Sequence, residues 1–192
     1  MAEKSERGGG SRYGTIIATF VGLCALCVSG YTAYMQRQQV RAMVWPILQF
    51  DSSNAPDIHF SLANKGVGPA IIKHVIVRVD GEPVRNWHDK FGKLLGPGEH
   101  HGTESDMSNR VLTAGENLDI MTPHRTDGDP IKYDRSDPVW QKWNDDRFKV
   151  TIEICYSSTL GECWTLRAGG KQPGATTECR TCPTPSEISF QQ

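Results

Sequence analysis

The chain has 192 residues and a net charge of −1, from 21 basic and 22 acidic side chains. This length fits one domain of ordinary size plus extra segments. The balanced charge argues against a nucleic-acid-binding protein, because such proteins carry a basic excess. With 19 glycines and 11 prolines, the composition is typical of a turn-rich β domain rather than of a helical bundle.

The N-terminal part of the sequence predicts a membrane anchor. Residues 1–12 are polar and glycine-rich, which indicates a disordered tail. Residues 13–36 contain no charged side chain, and a helix of that length spans about 36 Å, enough for a hydrocarbon core of about 30 Å. A cleaved signal peptide is the alternative, but its apolar region usually has about 7–15 residues. We therefore expect an uncleaved transmembrane helix over 13–36.

The charges that flank this segment predict its orientation. The N-terminal side carries Lys4, Arg7 and Arg12, and the C-terminal flank carries Arg37 and Arg41. Because basic residues are retained on the cytoplasmic side, the bias places the N-terminus in the cytoplasm. The larger C-terminal part is then expected in the periplasm or outside the cell.

One face of the predicted anchor is lined with small residues. Such residues let two helices approach closely in lipid, so this small-residue stripe predicts a homodimer or a partner membrane helix. The alternative is that small residues are merely common in membrane helices. The stripe consists of Gly14, Ala18, Gly22, Ala25, Ser29 and Ala33, with Thr32 beside them.

The remainder of the chain predicts an antiparallel β-sandwich. Residues 37–44 continue the helix as a juxtamembrane extension until Trp45-Pro46 ends it, because proline lacks a donor and clashes with the preceding turn. Short alternating segments separated by turns fill residues 45–170, and no helix is long enough for a crossover. Strands are expected over 45–50, 57–64 and 70–80, one or two strands over 101–122, and a hairpin over 147–158 and 161–168.

Two local patterns within this domain allow finer predictions. In the strand 70–80, alternation places Ile71, Val75, Val77 and Val79 on one face, with Lys73 as an exception. A short helix is expected to begin at Pro138, because Asp137 is a good cap and proline is favoured at the first helical position.

The segment "NKGVGPAIIKHVIVRVDG" carries a resemblance to immunoglobulin-like modules. Asn64, Gly66, Gly68, Pro69 and Ala70 resemble their turn before a strand, and the glycines are expected to serve a tight turn with positive φ. This turn and the late "YSSTLGECW" hairpin make the chain similar to uncharacterised bacterial single-pass membrane proteins. That resemblance implies a sandwich domain over roughly residues 40–168 and implies no activity.

The cysteines of the C-terminal region are the candidate functional residues. In an oxidising compartment Cys155, Cys163, Cys179 and Cys182 are expected to form disulfides. One arrangement joins Cys155 to Cys163 across the hairpin, and another joins the tail, residues 171–192, to the hairpin. Sequence leaves three connectivities open. A metal-binding or thiol-redox module built from the same four cysteines is the alternative function.

The sequence contains no recognisable catalytic arrangement. Glycine-rich phosphate loops, nucleophile elbows, zinc-protease motifs and dinucleotide fingerprints are absent from the 192 residues. We therefore expect a non-enzymatic interaction or structural module of the cell envelope, without a cofactor or a metal site, whose ligand the sequence does not indicate.

Overall fold

The computed structural model describes residues 10–87, 101–125, 127–182 and 190. The chain separates into two compact units, residues 1–42 and 43–192. The first consists largely of helix α1, Gly10–Met43, which confirms the prediction of one long apolar N-terminal helix. Its segment Tyr13–Met43 is long and apolar enough to cross a membrane.

The second unit is mainly β and its strands pair antiparallel, in two sheets. The strands are β1 (Leu48–Ser53), β2 (His59–Asn64), β3 (Ala70–Val79), β4 (Glu82–Val84), β5 (His101–Glu104), β6 (Val111–Leu112), β7 (Asn117–His124), β8 (Val150–Ser157), β9 (Cys163–Gly169) and β10 (Ala175–Cys179). The first sheet has the order β1-β2-β7-β5, and the second has the order β10-β9-β8-β3-β4, with β6 paired to β3.

One apolar core serves both sheets. Phe60 and Leu62 of β2 lie in the same buried cluster as Val75 and Val77 of β3 and Ile154 of β8. These residues occupy alternate positions on their strands, as expected where one face of each sheet is buried. Phe190, near the C-terminal end of the sequence, also lies in this core. Its backbone N–H donates to the carbonyl of Val75 (2.9 Å).

The face predicted for β3 is correct in its second half and wrong at its start. Val75, Val77 and Val79 are buried, but Ile71 is only half-buried and Ile72 takes the core position instead. A β-bulge between Ile72 and His74 inserts one unpaired residue, so the alternation changes face at that point.

Gly66 and Gly68 are needed for a reason other than the predicted one. Neither glycine has a positive φ. A Cβ at Gly66 would instead lie 2.3 Å from the carbonyl oxygen of Trp45, and one at Gly68 would lie 2.1 Å from that of Val44. The turn between β2 and β3 therefore packs backbone to backbone against residues 44–47. β1 begins at Leu48 rather than at the predicted residue 45.

The predicted short helix is confirmed as α2, Pro138–Asp146. Asp137 caps it, since its carboxylate accepts a hydrogen bond from the N–H of Val139 (3.0 Å), and proline occupies the first turn. Trp140 and Trp143 lie on the buried face of this helix. The region 101–122 contains more strands than expected, because β5, β6 and β7 all begin within it.

The predicted hairpin is also confirmed. β8 and β9 pair from Thr151 opposite Gly169 to Ser157 opposite Cys163. β10 adds to the outer side of β9, with Cys179 opposite Cys163. β10 lies within the segment 171–192 and was not predicted as a strand.

Candidate functional site

The four C-terminal cysteines come together at one end of the second sheet. Cys155 lies on β8, Cys163 is the first residue of β9, Cys179 is the last residue of β10, and Cys182 follows three residues later. We refer to these four residues as the cysteine cluster.

The cluster lies on the sheet face that points away from the apolar core. Ile154 and Tyr156 belong to the core, so Cys155 between them projects to the opposite face. Cys163 and Cys179 are cross-strand partners on that same face, as the β9–β10 register places them opposite each other. Cys155 and Cys163 are nonetheless buried, whereas Cys179 and Cys182 are half-buried.

Two cysteine pairs lie at disulfide distance, and both connect the tail to the hairpin. Cys155 pairs with Cys182 at a Cα–Cα distance of 5.8 Å, and Cys163 pairs with Cys179 at 5.3 Å. Both separations fall in the range that a disulfide requires. The arrangement that joins Cys155 to Cys163 does not occur, because the β8–β9 register places Thr165 opposite Cys155 and Ser157 opposite Cys163.

The sulfur atoms of the two pairs lie next to each other and form one group. The Sγ of Cys179 lies 3.9 Å from the Sγ of Cys155. The ligand atoms of Cys155, Cys179 and Cys182 all lie within 4.8 Å of one another. In the oxidised state the group fixes the tail. In the reduced state it would present converging thiolates, the ligand type that zinc prefers.

A histidine lies beside the cluster. His74 of β3 is the cross-strand partner of Cys155, on the far side of the β-bulge. Burial lowers the pKa of His74 below its ordinary value, and the nearby carboxylate of Glu153 only partly opposes this. Burial therefore favours the neutral form of the His74 imidazole.

The same sheet face carries an ion-pair network next to the cluster. Arg167 donates from Nε and Nη2 to the two carboxylate oxygens of Glu153 (3.1 Å each), and Arg78 Nη1 lies 3.6 Å from the same group. The Arg167 hydrogen bonds hold the pKa of Glu153 below its ordinary value, against the effect of partial burial. A carboxylate in this environment stays charged and is a poor general base.

Two features of this site were not predicted. β10 was missed because "ATTEC" is short, exposed and polar, and no apolar alternation marks it as a strand. The position of His74 beside Cys155 was missed because it depends on the bulge. The "TT" pair was the only signal for β10, since β-branched residues favour strands.

The small-residue stripe lies along α1, well separated in sequence from the cluster. Its residues are exposed, as are Cys24 and Cys27, which form no disulfide. Association of this helix with another helix remains a prediction.

Comparison of the chain with protein-family models, with curated proteins and with solved structures finds no match. The geometry of the described residues therefore carries the functional argument.

Proposed function

We propose that the chain is a membrane-anchored, extracytoplasmic module of the bacterial cell envelope, with an immunoglobulin-like sandwich that acts in interaction or structure rather than in catalysis. In this proposal α1 crosses the membrane with the N-terminus in the cytoplasm. The observation that carries the proposal is the pairing of all four C-terminal cysteines, between the tail and the hairpin.

The cysteine pairs bear on the compartment because disulfides persist on the oxidising side of a membrane and are rare in the cytosol. Every cysteine of the β-rich unit belongs to a pair, whereas Cys24 and Cys27, both in the apolar helix, are free. This division is the one expected if the helix lies in the bilayer and the β-rich unit lies beyond it.

An immunoglobulin-like sandwich is supported by two antiparallel sheets that share one core. Such domains present loops and sheet edges to partners. We further propose that the small-residue stripe pairs α1 with a second copy or with another membrane helix.

A metal-binding or thiol-redox module is the second candidate. It is favoured by the convergence of the Cys155, Cys179 and Cys182 sulfur atoms, which all lie within 4.8 Å of one another. Under reducing conditions these thiols would supply three ligands to a tetrahedral zinc ion, with Cys163 as a candidate for the fourth.

A C-terminal alkaline phosphatase fusion tests the topology, because this reporter is active only outside the cytoplasm. We expect active fusions that remain in the membrane after carbonate extraction. An inactive fusion would contradict the extracytoplasmic assignment, and extraction by carbonate would contradict the anchor.

Elemental analysis separates the two candidate functions. The chain is purified without reductant, and its free thiols are alkylated and counted. The proposal predicts no stoichiometric zinc and alkylation of Cys24 and Cys27 only. One zinc ion per chain, with the four cluster thiols free after chelation, would favour the metal-binding module instead.

A further inference from the structure

The end of the β-rich unit nearest α1 in sequence carries exposed apolar side chains. Trp45, Ile47, Val67 and Leu160 are 51%, 46%, 65% and 51% exposed. We refer to these four residues as the apolar rim. Apolar side chains of this size are normal on a surface when scattered singly, so their grouping is what requires an explanation.

The strand pairings place all four residues at the same end of the domain. Lys65 donates to the carbonyl of Ile47 (2.7 Å), and Val67 donates to that of Trp45 (3.0 Å). The ring of Trp45 stacks on Trp164 with 6.4 Å between centroids, beside the β8–β9 turn that contains Leu160. The rim therefore combines the entry into β1, the β2–β3 turn and the β8–β9 turn.

Few other large apolar side chains in the described part of this unit are exposed. Val111 lies near the rim, because it pairs with Ile71 at the start of β3. Val139 lies in α2, and Tyr133 packs against Trp140 of that helix. Trp140 donates to the carbonyl of Asn54, beyond the other end of β1. Exposed apolar side chains are thus concentrated at the end of the β-rich unit where β1 begins.

We propose that the apolar rim inserts into the interface of the bilayer that α1 spans, so that this end of the domain rests on the lipid headgroups. This inference depends on the proposed membrane anchor. Trp45 follows the last residue of α1 by two positions. The polar extension 37–43 adds only about 10 Å of helix beyond the uncharged segment, compared with a headgroup layer of about 5–8 Å.

The chemistry of the rim suits lipid as the occupant. Tryptophan favours the membrane interface, where its ring is partly apolar and its N–H stays hydrated. The basic residues Arg37, Arg41 and Lys65 lie next to the rim in sequence, where anionic headgroups attract them. Glu116 and Glu162 are acidic residues at this end, and both are engaged: Glu116 accepts hydrogen bonds from Thr113 and Arg110, and Glu162 also has a partner. Because the anchor keeps the rim near the bilayer, even a weak contact would be well populated.

Fluorophores attached in single-chain nanodiscs test this inference. Val67→Cys and Leu160→Cys are each labelled with a small fluorophore in a background that carries Cys24→Ala and Cys27→Ala. Val139→Cys is the matched control, because it replaces an exposed valine near the other end of β1, a strand of about 20 Å. The discs contain lipids with a nitroxide on the headgroup.

We expect quenching of the labels at Val67 and Leu160 to exceed that at Val139 at least about threefold, because the nitroxides are confined to a layer about 5–8 Å thick. Equal quenching at the three positions would overturn the inference. A second outcome would also overturn the inference. If the Val67 label is shielded from aqueous iodide in discs that hold two chains but not in discs that hold one, the rim is an interface between copies.

A label on Cys24 itself, in a Cys27→Ala background, distinguishes failure of this inference from failure of the anchor. A Cys24 label quenched by nitroxides on the acyl chains, together with rim labels that nitroxides on the headgroups do not quench, contradicts only the lipid contact. An unquenched Cys24 label contradicts the membrane anchor, and the lipid contact with it.

Discussion

Loss of the Cys155–Cys182 bridge is expected to destabilise the β-rich unit measurably. The substitution Cys182→Ala opens this bridge, which joins two residues 27 positions apart in sequence. The Cys163–Cys179 bridge stays closed within this loop, so the path that the Cys155–Cys182 bridge closes has only about 13 residues, and the chain-entropy model gives about 3 kcal/mol for it. Cys182 is half-buried, so little packing is lost in addition, whereas a change at the fully buried Cys155 would also create a cavity.

Thermal unfolding in nanodiscs, followed by near-ultraviolet circular dichroism, measures this effect. For a unit of this size we expect the Tm to fall by about 6–12 °C without reductant. With reductant, the variant and the parent chain should unfold at the same temperature. Cys24→Ala is the control, because that cysteine belongs to no bridge and its loss should leave the Tm unchanged.

Two results would refute this reasoning. A Tm within about 2 °C of the parent under oxidising conditions would mean that the bridge does not restrain the unfolded chain. An equal loss of Tm with and without reductant would mean that Cys182 acts through packing alone. A peptide map of the variant must also show that the Cys163–Cys179 bridge is retained, because Cys179 Sγ lies within 3.9 Å of Cys155 Sγ and can exchange with it.

Three further predictions concern single residues of the β-rich unit. Gly68→Ala should lower the free energy of unfolding in urea by about 3 kcal/mol, because the new Cβ would meet the Val44 carbonyl. Gly115→Ala is the control: its Cβ would meet no atom within 4 Å, but its φ is +77°, so it should lower the free energy by only about 1 kcal/mol. Equal losses would contradict the close packing at Gly68. The pKa of His74 is below 6.5 in the folded chain, so its contribution to stability is complete above the unfolded value and is lost as the pH falls through 6.5 toward the folded value. His74→Gln should therefore reduce the loss of Tm between pH 7.5 and about 5, and an unchanged profile would rule out His74 as the cause. Asp137→Ala should lower the free energy of unfolding in urea by about 1–2 kcal/mol, because it removes the cap of α2 and the ion pair with Arg125. Asp137→Asn keeps a cap acceptor and should lower it by less. The opposite order would contradict the capping role.

What the sequence predicted correctly rests on local signals. The uncharged segment of α1, the Asp137-Pro138 start of α2 and the alternation in β8 and β9 each depend on neighbouring residues, so a single sequence displays them. The core positions Val75, Val77 and Val79 were predicted for the same reason.

What could not be predicted depends on distant contacts. The β-bulge in β3 is defined by pairing with β8, about 80 residues later, and it decides that Ile72 rather than Ile71 enters the core. The choice among three cysteine pairings depends on the β8–β9 register and on β10, a strand held by its neighbour rather than by its own apolar pattern. The need for glycine at 68 likewise arises from the backbone of Val44, 24 positions earlier.

A tryptic map of the chain, alkylated in intact membranes before any reductant is added, tests the central claim most directly. Cleavage after Lys149, Arg167, Lys171 and Arg180 leaves Cys155 and Cys163 together on one peptide, 150–167, and places Cys179 and Cys182 on two others. Our account predicts one species in which all three peptides are linked. A further cut after Glu162 separates Cys155 from Cys163, and it should leave Cys163 linked to the Cys179 peptide and Cys155 linked to the Cys182 peptide. A bond within 150–167, or four alkylated cysteines in these peptides, would contradict an oxidised tail joined to the hairpin outside the cytoplasm.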